Sequence, residues 1–94
     1  MIKEKETIIG LLKALYPAIK IYLFGSYARG TQTRGSDIDL AVDTGSALSI
    51  GEIARIKNII EALNIPQTVD VVDMHSIPQE LKKVILTEGV LWTD

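Results

Sequence analysis

The sequence contains no cysteine, which excludes both disulfide staples and thiolate metal centres. A surplus of positive charge is missing as well. Ten Lys and Arg stand against twelve Asp and Glu, for a net charge of −2, whereas a dedicated nucleic-acid binder usually carries a basic excess. A nucleotide held through a metal ion remains compatible with that balance. No apolar run approaches the roughly 20 residues needed to span a bilayer. The amino-terminal "MIKEKETIIG" has charge but lacks the apolar stretch of a signal peptide, so the expectation is a soluble cytoplasmic protein. The single histidine, His75, has no ligand set near it in sequence and reads as a helix-start or surface residue. Low-complexity tracts are absent, and 47% of the residues are apolar, enough for a real core rather than disorder. At 94 residues the chain is expected to form one domain, 1–94.

Alternation and helical spacing divide the chain into elements. Ile8, Leu11, Leu12 and Leu15 recur at helical spacing, and Pro17 stops that helix. Residues 19–24, "IKIYLF", read as a strand bounded by Gly25. A helical turn is expected from Ser26 to about Gly30, and "TQTRGS" is loop by composition. "DIDLAVD" alternates acid and apolar residues, as a strand with one buried face does. "SIGE" is a capping-box pattern that opens a helix with an apolar stripe at Ile53, Ile56, Ile60 and Leu63, ended by Asn64 and Pro66. "TVDVVDM" is a third strand. Ser76 to Glu88 reads as a long helix with Gly89 as its stop, and "VLWT" as a short edge strand. The expected fold is a small α/β or α+β arrangement, a mixed sheet of three to four strands with helices mainly on one face.

The stretch "LFGSYARGTQTRGSDIDLAVD", residues 23–43, concentrates the chemistry. On a strand, Asp37, Asp39, Ala41 and Asp43 share one face while Ile38, Leu40 and Val42 point to the core. Asp37 and Asp39 stand two residues apart, about 6.5–7 Å between Cα atoms, close enough for their carboxylates to lean towards a common cation. A cation removes the repulsion that makes such spacing unfavourable. Mg²⁺ is the hard, oxygen-seeking ion expected when a polyphosphate supplies further ligands. Upstream, the order strand–Gly25–Ser26–helix presents backbone N–H groups and a hydroxyl to an anion, and glycine permits close approach of a phosphate. Arg29 and Arg34 either contact phosphates, or are solvated or pair with nearby acids. Ser36 is either a nucleotide-binding hydroxyl or a loop cap. Tyr27 either stacks on a base or packs under the turn, and Trp92 is a packing residue or an interface anchor.

Gly25-Ser26, ten residues, then Asp37-x-Asp39 resembles the signature of the DNA polymerase β-type nucleotidyltransferases. The fuller run "FGSYARG…SDIDLAV" is similar to the minimal nucleotidyltransferases that act as antitoxins of HEPN-domain toxins, and the likeness covers nearly the whole chain. It implies a nucleotidyltransferase fold and a third carboxylate on a neighbouring strand, for which Asp70 in "TVDVVD" is the match. Asp73 is the competitor, on the opposite face of that strand. The implied site is then Asp37, Asp39 and Asp70 as catalytic and Mg²⁺-binding acids, with Gly25, Ser26, Arg29 and Ser36 on the nucleotide. The implied reaction moves AMP from ATP to a hydroxyl, a tyrosine, of a HEPN toxin partner. No membrane or direct nucleic-acid contact is implied, and association with itself or with the partner is open. Larger members add domains for the second substrate, for which this chain has no room. Two other readings compete: an antitoxin that inhibits by binding alone, and a small-molecule nucleotidyltransferase completed by a partner subunit.

Overall fold

The computed structural model describes residues 2–93. The chain runs α1 (Lys5–Leu15), β1 (Lys20–Phe24), α2 (Ser26–Arg29), β2 (Ile38–Asp43), α3 (Ile50–Glu61), β3 (Val69–Asp73), α4 (Gln79–Glu88) and β4 (Val90–Leu91). The four strands form one mixed sheet in the order β3-β2-β1-β4. β1 pairs antiparallel with both β2 and β4, whereas β2 and β3 are parallel. Parallel neighbours need a long crossover, and α3 supplies it. The α3 start is a full capping box: Glu52 N–H donates to Ser49 Oγ at 3.1 Å and Ser49 N–H donates to Glu52 Oε1 at 3.0 Å.

One face of the sheet carries the main core. Ile21 and Leu23 of β1, Ile38, Leu40 and Val42 of β2, and Val71 of β3 meet Ile8 and Leu12 of α1 and Ile56 and Ile60 of α3. Each of these positions follows from the period of its element, two for strands and 3.6 for helices. The helices lie mainly on this side, as the pattern predicts. α4 is the exception. Its Leu81 and Ile85 cover the opposite face against Tyr22, Ala41 and Val72, so Ala41, expected among the exposed acids, is fully buried. The acid-bearing face is therefore open at one end of the sheet and roofed in its middle.

Around α4 and β4 the structure adds to or departs from the sequence pattern. α4 begins at Gln79, three residues after Ser76. The residue before a proline is pushed out of the helical region, and Ser76 is already committed to a turn, its N–H on the Asp73 carbonyl at 2.9 Å and its hydroxyl on the Asp73 carboxylate at 2.9 Å. Gly89 does end α4, but in extended conformation, φ −73° and ψ 160°. Glycine is needed there because a Cβ would overlap the Ile85 carbonyl. The last strand covers only Val90 and Leu91, yet its contact with β1 continues beyond it. Trp92 N–H donates to the Ile21 carbonyl at 2.7 Å, and Ile21 N–H donates to Thr93 Oγ1 at 3.1 Å. Among the described residues no helix is long and apolar enough to cross a membrane.

Candidate functional site

The open end of the acid face is built where β1 hands over to α2. Gly25 has φ 76° and ψ −154°, a region of backbone space that is essentially restricted to glycine. Its carbonyl starts the short helix by accepting from Ala28 and Arg29, both at 3.1 Å. The N–H groups of Ser26 and Tyr27, the first two of the helix, have no helical partner, and the N-cap Gly25 has no side chain with which to cap them. The turn thus keeps donors free. It is also pressed against the acids: a side chain at Gly25 would overlap the Asp39 carboxylate.

The sheet register brings the acids together. Asp39 stands opposite Phe24 on one side and Asp70 on the other. Adjacent strands lie about 4.8 Å apart, so Asp39 and Asp70 are neighbours on one rung. Asp37 precedes β2 by one residue and is exposed. The Asp39 carboxyl is raised above its ordinary value, first by burial, then by the charge of Asp70, then by that of Asp37, with Arg29 pulling the other way. Two neighbouring acids and one arginine are therefore felt electrostatically at Asp39.

Asp73 has a different position and task. It is buried on the core face and accepts from Leu48 N–H at 2.8 Å, His75 N–H at 3.0 Å and the Ser76 hydroxyl. Burial alone would raise its carboxyl, but these donors hold it below the ordinary value. Asp73 ties two loops to the sheet end, and its hydrogen-bonding capacity is committed.

Among the described residues no three acid or histidine side chains form a metal cage by themselves. The donor set nevertheless suits a hard ion. It consists of carboxylates alone, and the Asp39 carboxyl is raised first by burial and then by the charges of Asp70 and Asp37, which a cation would offset. Mg²⁺ ordinarily takes only one or two carboxylates and completes its shell with phosphate oxygens and water.

The other sequence candidates are distributed around this centre. Ser36 closes its own loop: its Oγ accepts from Thr33 N–H at 2.8 Å. Arg34, Ser36 and Asp37 line a depression of about 340 Å³ with Pro66, Gln67 and Thr68. A second depression of about 370 Å³ runs on the far side of that segment, from Asp70 to Lys57 and Glu61. Tyr27 packs against the main core, the second of its two expected roles, and its hydroxyl accepts from Gln67 Nε2 at 3.2 Å. Trp92 also packs on the core, with the Lys5 ammonium 5.8 Å from its ring centre.

Sequence reasoning missed three partnerships. His75 lies outside α4 and pairs with Asp43, Nε2 to Oδ1 at 2.7 Å. Burial would raise the Asp43 carboxyl, but bonds from Gly45 N–H and His75 lower it. The signal for this pair was the parallel register that sets Val42 beside Asp73, which periodicity alone does not reveal. Arg29 reaches Glu88 at the end of α4, at 4.0 Å with both side chains about half exposed. Gln67 carried no motif, and only the folded chain shows its bond to Tyr27.

Comparison with known proteins bears on the family and the fold. Residues 6–93 match the family model described as Polymerase beta, Nucleotidyltransferase. A protein adenylyltransferase MntA of Shewanella oneidensis is 42% identical over 94 residues, covering 95% of this chain. The chain spans 65% of the length of that relative. A protein adenylyltransferase MntA of Thermococcus cleftensis is 32% identical over 79 residues, 84% of this chain and 79% of the relative. Among solved structures, a chain of a toxin–antitoxin crystal structure with AMP-PNP superposes with a TM-score of 0.81 at 36% identity, over 95% of this chain and 72% of its own. A chain from the complex of tri-AMPylated Shewanella oneidensis HEPN toxin with MNT antitoxin gives 0.74 at 30% identity, over 96% of this chain and 69% of its own.

Proposed function

The chain belongs to the polymerase β nucleotidyltransferase family, and on that premise we propose that it is an antitoxin that transfers AMP from ATP to a tyrosine hydroxyl of a HEPN toxin. The observation that carries this reading is the rung shared by Asp39 and Asp70, with the Gly25–Ser26 turn set directly against Asp39. The relatives named as protein adenylyltransferases and the AMPylated HEPN complex support the same reaction. We place the protein in the cytoplasm, as a single nucleotidyltransferase domain.

In this reading the acceptor oxygen attacks the α-phosphorus of ATP. The bond from that phosphorus to the bridging oxygen of the β-phosphate breaks, and pyrophosphate leaves. Gly25 and Ser26 receive the terminal phosphates through backbone N–H groups and the free hydroxyl. Arg29 offsets their charge, and Ser36 borders the nucleotide. Asp37, Asp39 and Asp70 would hold Mg²⁺, which when bound lowers the pKa of the acceptor hydroxyl and stabilises charge on the leaving group. Asp70, on a different strand from Asp39 and more exposed, faces the acceptor and takes its proton. A tyrosine ionises near 10, well below an aliphatic hydroxyl.

The test is incubation with ATP, Mg²⁺ and a HEPN-domain toxin protein as acceptor, followed by intact-mass measurement of that protein. One or more AMP increments are expected, and none with an Asp37→Ala/Asp39→Ala double variant. If the double variant neutralises the toxin as well as the natural sequence does, with no mass change in either case, inhibition is by binding and the transfer reading fails.

A further inference from the structure

α2 is only four residues long and buries no residue of its own. Helices of that length are not stable by themselves, so the conformation of the phosphate turn must be imposed by neighbours. Two restraints on it are local: the bonds from Ala28 and Arg29 to the Gly25 carbonyl, and the packing of the Tyr27 ring on the core. A third comes from far along the chain. Gln67 Nε2 donates to the Tyr27 hydroxyl across 40 positions of sequence, and among the described residues this is the one side-chain hydrogen bond that α2 makes. Gln67 leads directly into β3. The next residue, Thr68, takes the Ile38 N–H at 2.8 Å, and Asp70 follows two residues later.

From this we infer that Tyr27 and Gln67 are positioning residues, whose hydrogen bond fixes the phosphate turn against the strand that carries Asp70. The inference rests on the nucleotidyltransferase reading above. In that chemistry the turn holds the departing phosphates and Asp70 stands on the acceptor side. Attack in line with the leaving group demands that these two halves keep their separation, and a misplacement of about 1 Å can slow a reaction ~100-fold. Neither residue touches the reacting atoms in this scheme. Tyr27 acts through the backbone of α2, and Gln67 through the start of β3.

The test compares Tyr27→Phe, Gln67→Leu and the double variant. Tyr27→Phe keeps the packed ring and deletes only the hydroxyl, so it preserves the fold. Single-turnover AMP transfer to the acceptor is measured beside calorimetric affinity for an α,β-methylene ATP analogue and amide exchange at Ala28 and Arg29. Each single variant should transfer roughly tenfold more slowly, with unchanged analogue affinity and faster exchange at both amides. The double variant should be no slower than the slower single, because the two residues act as one unit. A purely structural role would lower thermal stability and leave the rate of the folded protein intact. Wild-type transfer rates in the single variants, or slowing that multiplies in the double, overturn the inference. If the natural sequence itself transfers nothing, the nucleotidyltransferase reading fails, and amide exchange alone decides the brace: unchanged exchange in Tyr27→Phe overturns it, and faster exchange upholds it.

Discussion

Asp39 and Asp70 occupy the same rung of the parallel pair β2–β3, and the charge of Asp70 helps to hold the Asp39 carboxyl above its ordinary value after burial has raised it. Two acids in such contact destabilise one another when both are ionised. The arrangement makes sense as a site built for a cation and at some expense of stability.

Asp39→Asn should therefore abolish AMP transfer while leaving the fold as stable or more stable. The pH dependence follows from the sign of the shift. With its pKa raised by folding, Asp39 binds more proton in the folded than in the unfolded chain as pH climbs above 3.8, so its contribution falls as pH rises through that window. The advantage of Asp39→Asn should accordingly appear above that value and be complete once pH exceeds the raised folded value. Urea midpoints at a series of pH values check this, and a variant less stable than wild type near neutral pH counts against the repulsive cluster.

The two acids of β3 should separate cleanly. The Asp70 carboxylate makes no hydrogen bond among the described residues, whereas that of Asp73 receives three. Asp70→Ala should remove transfer with little change in the urea midpoint. Asp73→Ala strands three part-buried donors and, with a buried unpaired donor costing roughly 1–3 kcal/mol, should lower stability by at least about 1 kcal/mol on that scale. Because the Asp43 and Asp73 carboxyls are lowered, their contribution is complete above the ordinary carboxylate value and is lost as pH falls through their folded values. Acid unfolding should begin with this pair.

Gly25→Ala tests the turn. The backbone conformation there costs a non-glycine residue about 1–3 kcal/mol, and the new methyl would displace the Asp39 carboxylate as well. We expect a lower melting temperature together with loss of nucleotide binding. Unchanged calorimetric affinity for ATP with Mg²⁺ would mean that the turn is only structural.

Ser26→Ala should behave in the opposite way. Among the described residues the only side-chain hydrogen bond of α2 is that of Tyr27, so losing the Ser26 hydroxyl should leave stability as it is. Affinity for the nucleotide should drop by about 1.5–3 kcal/mol, the usual worth of a hydrogen bond to a charged group. Removing Mg²⁺ with a chelator should weaken binding of the natural protein and erase the stabilisation that bound nucleotide gives by mass action.

Much of this was legible before folding. The strand–Gly–Ser–helix order, the alternating acids of β2 and the capping box of α3 are local rules, and each is met where the sequence put it. What escaped depended on register and on the second face of the sheet. Periodicity assigns Ala41 to the acid face but cannot say that Ile85 of α4 will cover it. Nor can it bring His75 to Asp43, because that pairing follows from which strand lies parallel beside which. Gly89 is legible as the stop of α4, but only the structure shows that its lack of a side chain is needed next to the Ile85 carbonyl.

The bond from Ile21 to Thr93 spans 72 positions, and this gives the chain an order of assembly in time. A strand pair joined by a short connection can form soon after both strands leave the ribosome, and β1 and β2 are such a pair. The other flank of β1 must wait for a segment synthesised 72 residues later. Until then the future interior of the sheet is an unpaired edge, the kind of surface that recruits foreign strands. Nascent chains arrested before Val90 should accordingly be protease-sensitive and bind chaperones, and resistance should set in once Thr93 has emerged. Resistance already complete in chains lacking β4 would show that the sheet closes without it.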